Sequence, residues 1–104
     1  MQLAAVDRIE LKTDLRSALA RGQFFLLYQP IFDLDSLRIT GVEALIRWQH
    51  PSRGVVAPDE FIPVLEETGM IVEVGRWVLN EACSQAAKWQ RQGHRMTMSV
   101  NVSM

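Results

Sequence analysis

The order in which hydrophobic patterns change along the chain constrains the fold more than any other feature. Residues 24–34 and 38–48 are dense in aromatic and branched side chains and predict two strands. Apolar residues then recur at helical spacing through residues 58–92, and strict alternation over residues 96–103 predicts a third strand. A crossover of roughly 45 residues between the second and third strands suits a parallel, right-handed connection. The pattern therefore predicts an α/β fold.

Proline and glycine mark the ends of the predicted helices. Pro58 opens the first helix of the crossover and Gly69 ends it, while Gly93 ends the second. Residues 1–22 also predict a helix, with Gly22 as its stop. The first half of that segment has a looser apolar pattern and more charge. It is therefore either a lead-in helix or the tail of a linker.

Composition limits the classes of protein that the chain can represent. The chain has 104 residues, 48% of them hydrophobic, and predicts at most one globular domain. A formal charge of −1 argues against a DNA or RNA polymer as partner. Cys83 is the single cysteine, which excludes an intramolecular disulfide and fits a reducing, cytoplasmic location. No apolar run approaches the roughly 20 residues of a membrane helix, so we expect no membrane segment.

Glu43 occupies a position that requires an explanation. It lies between Val42 and Ala44 in an otherwise apolar strand, where a buried carboxylate is costly unless it is paired or binds a cation. Asn101 lies on the polar face of the last predicted strand, near its end. Carboxylate and amide oxygens suit a hard cation such as Mg²⁺ or Mn²⁺. Glu43 and Asn101 are therefore candidate metal ligands, although two ligands alone would hold an ion weakly.

Other polar residues of the strands leave two interpretations open. Arg47 shares a face with Glu43 but lies roughly 13 Å further along the strand, so a direct ion pair would be strained. Arg47 is either a solvated strand end or a guanidinium that grips a phosphate. Gln29 either bonds to neighbouring backbone or touches a ligand. His50 and His94 have no partner carboxylate or serine at motif spacing, and we expect both on the surface.

The tripeptide Glu43-Ala44-Leu45, followed by Ile46-Arg47-Trp48, resembles the signature of the EAL domain family of bacterial cyclic di-GMP phosphodiesterases. The resemblance continues in order along the chain. Its further segments are Tyr28-Gln29-Pro30-Ile31, Gly41-Val42, His50-Pro51, Glu60-Phe61-Ile62-Pro63, Glu66-Glu67-Thr68-Gly69, Trp77-Val78-Leu79 and Ser99-Val100-Asn101-Val102-Ser103. We interpret residues 13–104 as the N-terminal portion of such a domain, and residues 1–12 as a linker or lead-in helix.

The resemblance implies a modified (β/α)8 barrel of the TIM type. In this family a two-metal centre of Mg²⁺ or Mn²⁺ activates water that opens cyclic di-GMP to linear pGpG. By motif position, Glu43 and Asn101 are similar to metal ligands of the family. Gln29, Leu45 and Arg47 are similar to residues that contact the substrate, with Arg47 at a phosphate. The family's lysine near the attacking water and its proposed general base have no counterpart here, so we expect no catalytic residue within this chain.

Chain length sets the last expectation. A barrel of this type needs on the order of 250 residues, so the predicted strands would be a barrel truncated after about its third strand. We therefore expect a fragment of a cyclic di-GMP phosphodiesterase domain that is inactive alone. The alternative is a non-catalytic, incomplete barrel that binds cyclic di-GMP or another protein. Its open edge would then be covered by a second copy or by another chain.

Overall fold

The computed structural model describes residues 5–101, with side chains from residue 8 onward. Three helices and four strands make up this part of the chain. They are α1 (Ala5–Ala18), β1 (Phe24–Phe32), β2 (Ile39–His50), β3 (Gly54–Val56), α2 (Pro58–Thr68), α3 (Ile71–Arg91) and β4 (Thr97–Val100). The predicted α/β class is confirmed. Within the described residues, no helix combines the length and the apolar character that crossing a membrane requires.

Strand β2 is the centre of one four-stranded sheet. β1 pairs with it antiparallel, from Phe24 opposite Trp48 to Phe32 opposite Ile39. On the other side of β2, β4 runs parallel to its first half and β3 runs antiparallel to its end. The parallel pairing of β2 with β4 confirms the parallel connection that the sequence predicts.

The hairpin of β2 and β3 was not predicted. In the sequence, Pro51, Ser52 and Gly54 indicate a loop, but β2 continues to His50, which pairs with Gly54 at the start of β3. Gly54 has a φ of 74°, a left-handed conformation that glycine adopts at little cost. The described part of the sheet therefore has four strands where the hydrophobic patterns predicted three.

The prediction that His50 lies on the surface is wrong. His50 is 6% exposed. Its Nδ1 accepts hydrogen bonds from the backbone N–H groups of Ser52 and Arg53, at 3.1 Å each. Nε2 therefore carries the ring proton, and this N–H donates a hydrogen bond to Oδ2 of Asp14 at 2.6 Å. The imidazole also meets the Trp48 ring edge-on, with centroids 5.0 Å apart. His50 thus ties the end of β2 to helix α1.

Helix α1 packs into the core along an apolar stripe. Two ion pairs flank the stripe: Arg8 to Glu67 of α2 at 3.0 Å, and Glu10 to Arg53 at 3.1 Å. Exposed pairs of this kind contribute only about 0–1 kcal/mol each. Helix α1 is therefore held mainly by its buried residues, which are Leu11, Leu15 and Ala18.

The helices cover one face of the sheet and leave the other face open. Along β2 the alternation predicted from the sequence is confirmed. The residues of the covered face are at most 6% exposed: Val42, Ala44, Ile46 and Trp48. Phe24, Phe61, Leu65 and Val78 belong to the same core. The intervening residues of β2 are half-buried on the open face: Glu43, Leu45 and Arg47.

Candidate functional site

Strand pairing brings three polar residues into one row on the open face. Glu43 of β2 pairs with Gln29 of β1 on one side and with Ser99 of β4 on the other. Residues paired directly across strands point to the same face, with roughly 5 Å between neighbours. Gln29, Glu43 and Ser99 therefore form a row that crosses the sheet at right angles to the strands, and we call it the polar row.

The half-buried carboxylate of Glu43 has no hydrogen bond or ion pair with any described residue. Arg47 does not neutralise it, because Nη1 of Arg47 donates to the carbonyl oxygen of Ile46 at 2.8 Å instead. Gln29 is exposed, and its side chain makes no hydrogen bond to the described backbone. Within residues 8–101, the side chains of Glu43 and Gln29 thus keep oxygen and nitrogen atoms available for a ligand.

A pocket of about 390 Å³ opens beside the polar row, where β4 ends. Leu45 and Arg47 of β2 and Asn101 after β4 line one side of it. Helix α2 forms the opposite wall through Pro58, Asp59, Ile62, Pro63 and Glu66. The carboxyl ends of parallel strands are where the active sites of α/β barrels lie. We call this cavity the strand-end pocket.

The structure brings the predicted site residues together in two neighbouring groups. Leu45, Arg47 and Asn101 line the strand-end pocket. Gln29 and Glu43 do not line it, because they lie one pleat repeat back along the sheet, roughly 7 Å from the level of Leu45. Both groups point to the open face, so one extended ligand could contact them together.

Gly41 allows the close approach of β4 that positions Asn101. A Cβ atom at Gly41 would lie 2.7 Å from the carbonyl oxygen of Thr97, a distance that real Cβ atoms essentially never show. Glycine therefore permits the register in which Glu43 lies opposite Ser99. Two residues after Ser99, Asn101 reaches the level of Leu45 on the same face.

Two acidic residues of the pocket were not selected from the sequence. Asp59 lies in the first turn of α2, where a negative charge also suits the helix dipole, and Glu66 lies seven residues later. Residues at this spacing share one face of a helix, together with Ile62. This periodicity could have grouped them, but it does not reveal that the face looks toward Arg47. The pocket therefore has the guanidinium of Arg47 on the strand side and two carboxylates on the helix side.

The donor chemistry of the site fits a hard cation only in part. Glu43 offers a carboxylate and Asn101 offers an amide oxygen, which are donors that Mg²⁺ and Mn²⁺ accept. Among the residues that the structure describes, no group of three or more histidine, cysteine, aspartate or glutamate side chains could hold a metal ion. Glu43 and Asn101 thus bring one negative charge and part of a coordination shell.

Helices that cover a sheet, and a pocket where a parallel strand ends, are features that α/β barrel domains share with this chain. The sequence model of the EAL domain family matches residues 12–104. The chain belongs to this family, as its motifs predicted.

Individual relatives agree with this membership. The bifunctional diguanylate cyclase/cyclic di-GMP phosphodiesterase MucR of Pseudomonas aeruginosa is 44% identical over 104 residues, which are 99% of this chain and 15% of that protein. The solved PaMucR phosphodiesterase in complex with c-di-GMP has a TM-score of 0.87 and 46% identity, over 90% of this chain and 38% of that one. The Xanthomonas citri FimX EAL domain in complex with c-diGMP has a TM-score of 0.74 and 29% identity, over 90% of this chain and 36% of that one. This chain spans well under half of each relative.

Proposed function

We propose that this chain contributes metal ligands and substrate contacts to an EAL domain that hydrolyses cyclic di-GMP to linear pGpG. Two solved relatives carry this dinucleotide, and one of them is described as a phosphodiesterase. The observation that carries the proposal is the shared strand-end pocket of Arg47 and Asn101, beside the polar row that contains Glu43.

Each site residue has a role that follows from its chemistry. The guanidinium of Arg47 would grip a phosphate of the substrate with two parallel N–H donors. Leu45 would offer an apolar contact, and the amide of Gln29 would bond a polar group of the dinucleotide. Glu43 and Asn101 would hold Mg²⁺ or Mn²⁺ through their oxygens. Such an ion, when bound, supplies a water of lowered pKa for in-line displacement at phosphorus.

The proposal has a second part, which concerns completeness. We propose that residues 13–104 are the N-terminal portion of a (β/α)8 barrel, preceded by a linker or lead-in helix, and that the chain alone does not hydrolyse the dinucleotide. A two-metal centre normally holds its ions with several carboxylates, whereas Glu43 is the one carboxylate of the polar row. A cytoplasmic location belongs to the same proposal and is supported by the unpaired thiol of Cys83.

Binding and hydrolysis test the two parts separately. The chain is titrated calorimetrically with cyclic di-GMP in the presence of Mn²⁺, and a parallel incubation is analysed by chromatography for pGpG. We expect binding without pGpG. Arg47→Ala should weaken binding about tenfold or more, because hydrogen bonds to a charged group contribute about 1.5–3 kcal/mol. Glu43→Gln should remove the dependence of binding on Mn²⁺.

Glu73→Gln is the matched control for Glu43→Gln. Glu73 lies on α3, is exposed and does not line the strand-end pocket, so its substitution should change nothing. Equal affinity in Arg47→Ala and the unmodified chain would contradict the role of Arg47. Formation of pGpG by the chain alone, lost in Glu43→Gln, would show that the second part is wrong.

The non-catalytic alternative is a module that binds cyclic di-GMP or another protein without hydrolysis. The strand-end pocket supports it as well, because Arg47 would bind a phosphate whether or not the phosphate is then hydrolysed. Metal dependence separates the two functions. A module should bind the dinucleotide equally well with Mn²⁺ and with a chelator, whereas part of a phosphodiesterase centre should bind it more tightly with Mn²⁺.

A further inference from the structure

A second cavity lies between the hairpin of β1 and β2 and the end of helix α3. Its volume is about 550 Å³, and we call it the base pocket. Volumes of about 300–1,000 Å³ are typical of sites that bind small organic molecules. Met96, just before β4, lines the base pocket, whereas Asn101, just after β4, lines the strand-end pocket. The two pockets therefore lie at opposite ends of the same strand.

The floor of the base pocket is aromatic. Tyr28 pairs with Ala44 across the hairpin, so its ring points to the covered face of the sheet. There it meets the ring of Trp89 on α3 edge-on, with centroids 5.1 Å apart. The other apolar side chains that line the pocket are those of Pro30, Ile39, Val42 and Met96. A flat apolar group, such as a further aromatic ring, can pack against this floor.

The two aromatic side chains carry hydrogen-bond donors that the described fold does not use. Neither the hydroxyl of Tyr28 nor the Nε1–H group of Trp89 makes a hydrogen bond with a described residue. Partial burial, and to a smaller extent the charge of Glu81, raises the pKa of the Tyr28 hydroxyl above its usual value. The hydroxyl therefore keeps its proton at neutral pH and can donate it to a hydrogen bond. Two such donors beside an apolar floor suit a ligand that carries acceptor oxygens.

The rim of the base pocket is basic. Arg95 and His94 line it, both are exposed, and Arg95 has no ion pair with a described residue. The position of His94 confirms the surface location expected from the sequence. None of the described residues that line the pocket is acidic. The rim therefore attracts an anion, and a guanidinium can hold a carboxylate with two parallel N–H donors.

Backbone hydrogen bonds fix the rim relative to the floor. After α3, the N–H of Gly93 donates to the carbonyl oxygen of Gln90 at 3.0 Å. The N–H of His94 donates to the carbonyl oxygen of Trp89 at 2.9 Å. These two bonds form the Schellman motif that ends many helices. Because the second bond joins the rim to Trp89 itself, His94 and Arg95 are held beside the floor before any ligand arrives, which lowers the entropic cost of binding.

We propose that the base pocket binds a small aromatic acid, whose ring packs against Tyr28 and Trp89 and whose carboxylate pairs with Arg95. An inorganic anion would contact only the rim, and an uncharged ring would contact only the floor. The full site therefore requires both parts in one molecule. Such a ligand leaves the strand-end pocket open, and the proposal does not depend on the function of that pocket.

Calorimetric titration of the chain with three probes tests the class of ligand. Naphthylacetate carries a ring and a carboxylate, naphthylethanol carries the same ring with a hydroxyl, and acetate carries the acid alone. We expect a Kd below about 1 mM for naphthylacetate, which a ligand of this size can reach. Naphthylethanol and acetate should each bind at least about tenfold more weakly. No binding of naphthylacetate up to about 10 mM, or equal affinity for either of the other probes, would overturn the proposal.

Two arginines of the same connection provide matched variants. Arg95→Gln should weaken the binding of naphthylacetate at least about tenfold and leave that of naphthylethanol unchanged. A folding defect cannot produce that pattern, because it would weaken both. Arg91→Gln is the control: Arg91 ends α3, is exposed and lines neither pocket, so both affinities should stay within about twofold. Equal losses in the two variants would contradict the role of Arg95.

Nuclear magnetic resonance of the chain locates the bound probe. The Nε1–H resonance of Trp89 should shift on addition of naphthylacetate. The same resonance of Trp48 is an internal control and should not move, because this N–H lies in the core and donates to Gln23. Backbone amides of residues 89–96 should shift more than those of Arg47 and Asn101. The largest shifts at Arg47 and Asn101 would place the probe in the strand-end pocket and overturn the proposal.

Discussion

The two faces of the sheet are built on opposite principles, although their residues alternate along one strand. On the covered face of β2, Ala44 and Trp48 are packed under helices and are at most 2% exposed. On the open face, Glu43 and Arg47 are half-buried and make no ion pair with a described residue. Alternate residues of β2 point to opposite faces of the sheet. The residues of the covered face therefore pack against the helices, while those of the open face remain available to a ligand.

Aromatic contacts explain why the covered face can hold the unit together. The Phe24 ring lies 5.7 Å from Phe61 and 6.2 Å from both Trp48 and Trp77, measured between centroids. Tilted and edge-on pairs at such distances each add about 0.5–1.5 kcal/mol beyond the burial of apolar area. The open face has no comparable cluster among the described residues, so its side chains can change with less effect on folding.

Trp48→Ala should remove the largest buried side chain of the covered face and have the largest effect on stability. Its side chain is fully buried, and Nε1 donates to Oε1 of Gln23 at 3.0 Å. We expect a loss of about 3–5 kcal/mol in the free energy of unfolding, measured by urea titration. Trp48→Phe keeps a ring in the core and should lose less. A loss below about 1 kcal/mol in Trp48→Ala would contradict the central place of this face in the core.

Gly41→Ala should disturb the pairing of β2 with β4 and have the second largest effect on stability. The added Cβ meets the Thr97 carbonyl oxygen, and backbone cannot move aside as a flexible side chain can. We expect a loss of about 1–3 kcal/mol, with faster amide hydrogen exchange in β4 than in β1. Gly22→Ala is the comparison, because nothing lies within 4 Å of its Cβ position and the cost there comes only from its φ of 65°. Unchanged exchange in β4 would argue against a close approach at Gly41.

Glu43→Gln should have the smallest effect on stability. Its carboxylate makes no hydrogen bond with a described residue, so the substitution removes a half-buried charge without breaking a contact. We expect a change within about 0.5 kcal/mol by the same urea titration. The same variant should abolish the effect of Mn²⁺ on the binding of cyclic di-GMP. Glu43 would then matter for binding and not for stability, whereas Trp48 matters for stability. A destabilisation of more than about 2 kcal/mol would mean that the carboxylate has a structural partner.

Much of the fold could be read from local patterns. The helices of the crossover begin and end close to the positions that Pro58 and Gly69 indicated. Strand β3 could not be predicted, because three residues are too few for a period and its pairing depends on the end of β2. His50 was misplaced for a similar reason: its carboxylate partner, Asp14, lies 36 residues earlier in the chain.

The site was predictable residue by residue but not as an arrangement. Strand position and motif resemblance selected Glu43 and Arg47, yet neither indicated that Arg47 shares a pocket with Asp59 and Glu66 of α2. The charges of Asp59 and Glu66 look like those of any solvated helix face until the helix is docked on the sheet. Only the packing of α2 against β2 places that face of the helix in the same pocket as the guanidinium of Arg47.

The sequence by itself determined which residues of β2 face the helices, where α2 ends and which family the motifs indicate. These properties depend on neighbours a few residues apart, such as the alternation of Val42 and Glu43 or the left-handed Gly69 that ends α2 with a φ of 80°. The tertiary structure alone decided that Gln29, Glu43 and Ser99 share a row. Ser99 reaches that row only through the long crossover between β2 and β4, so the row exists only once burial of the covered face has offset the entropy of closing that connection.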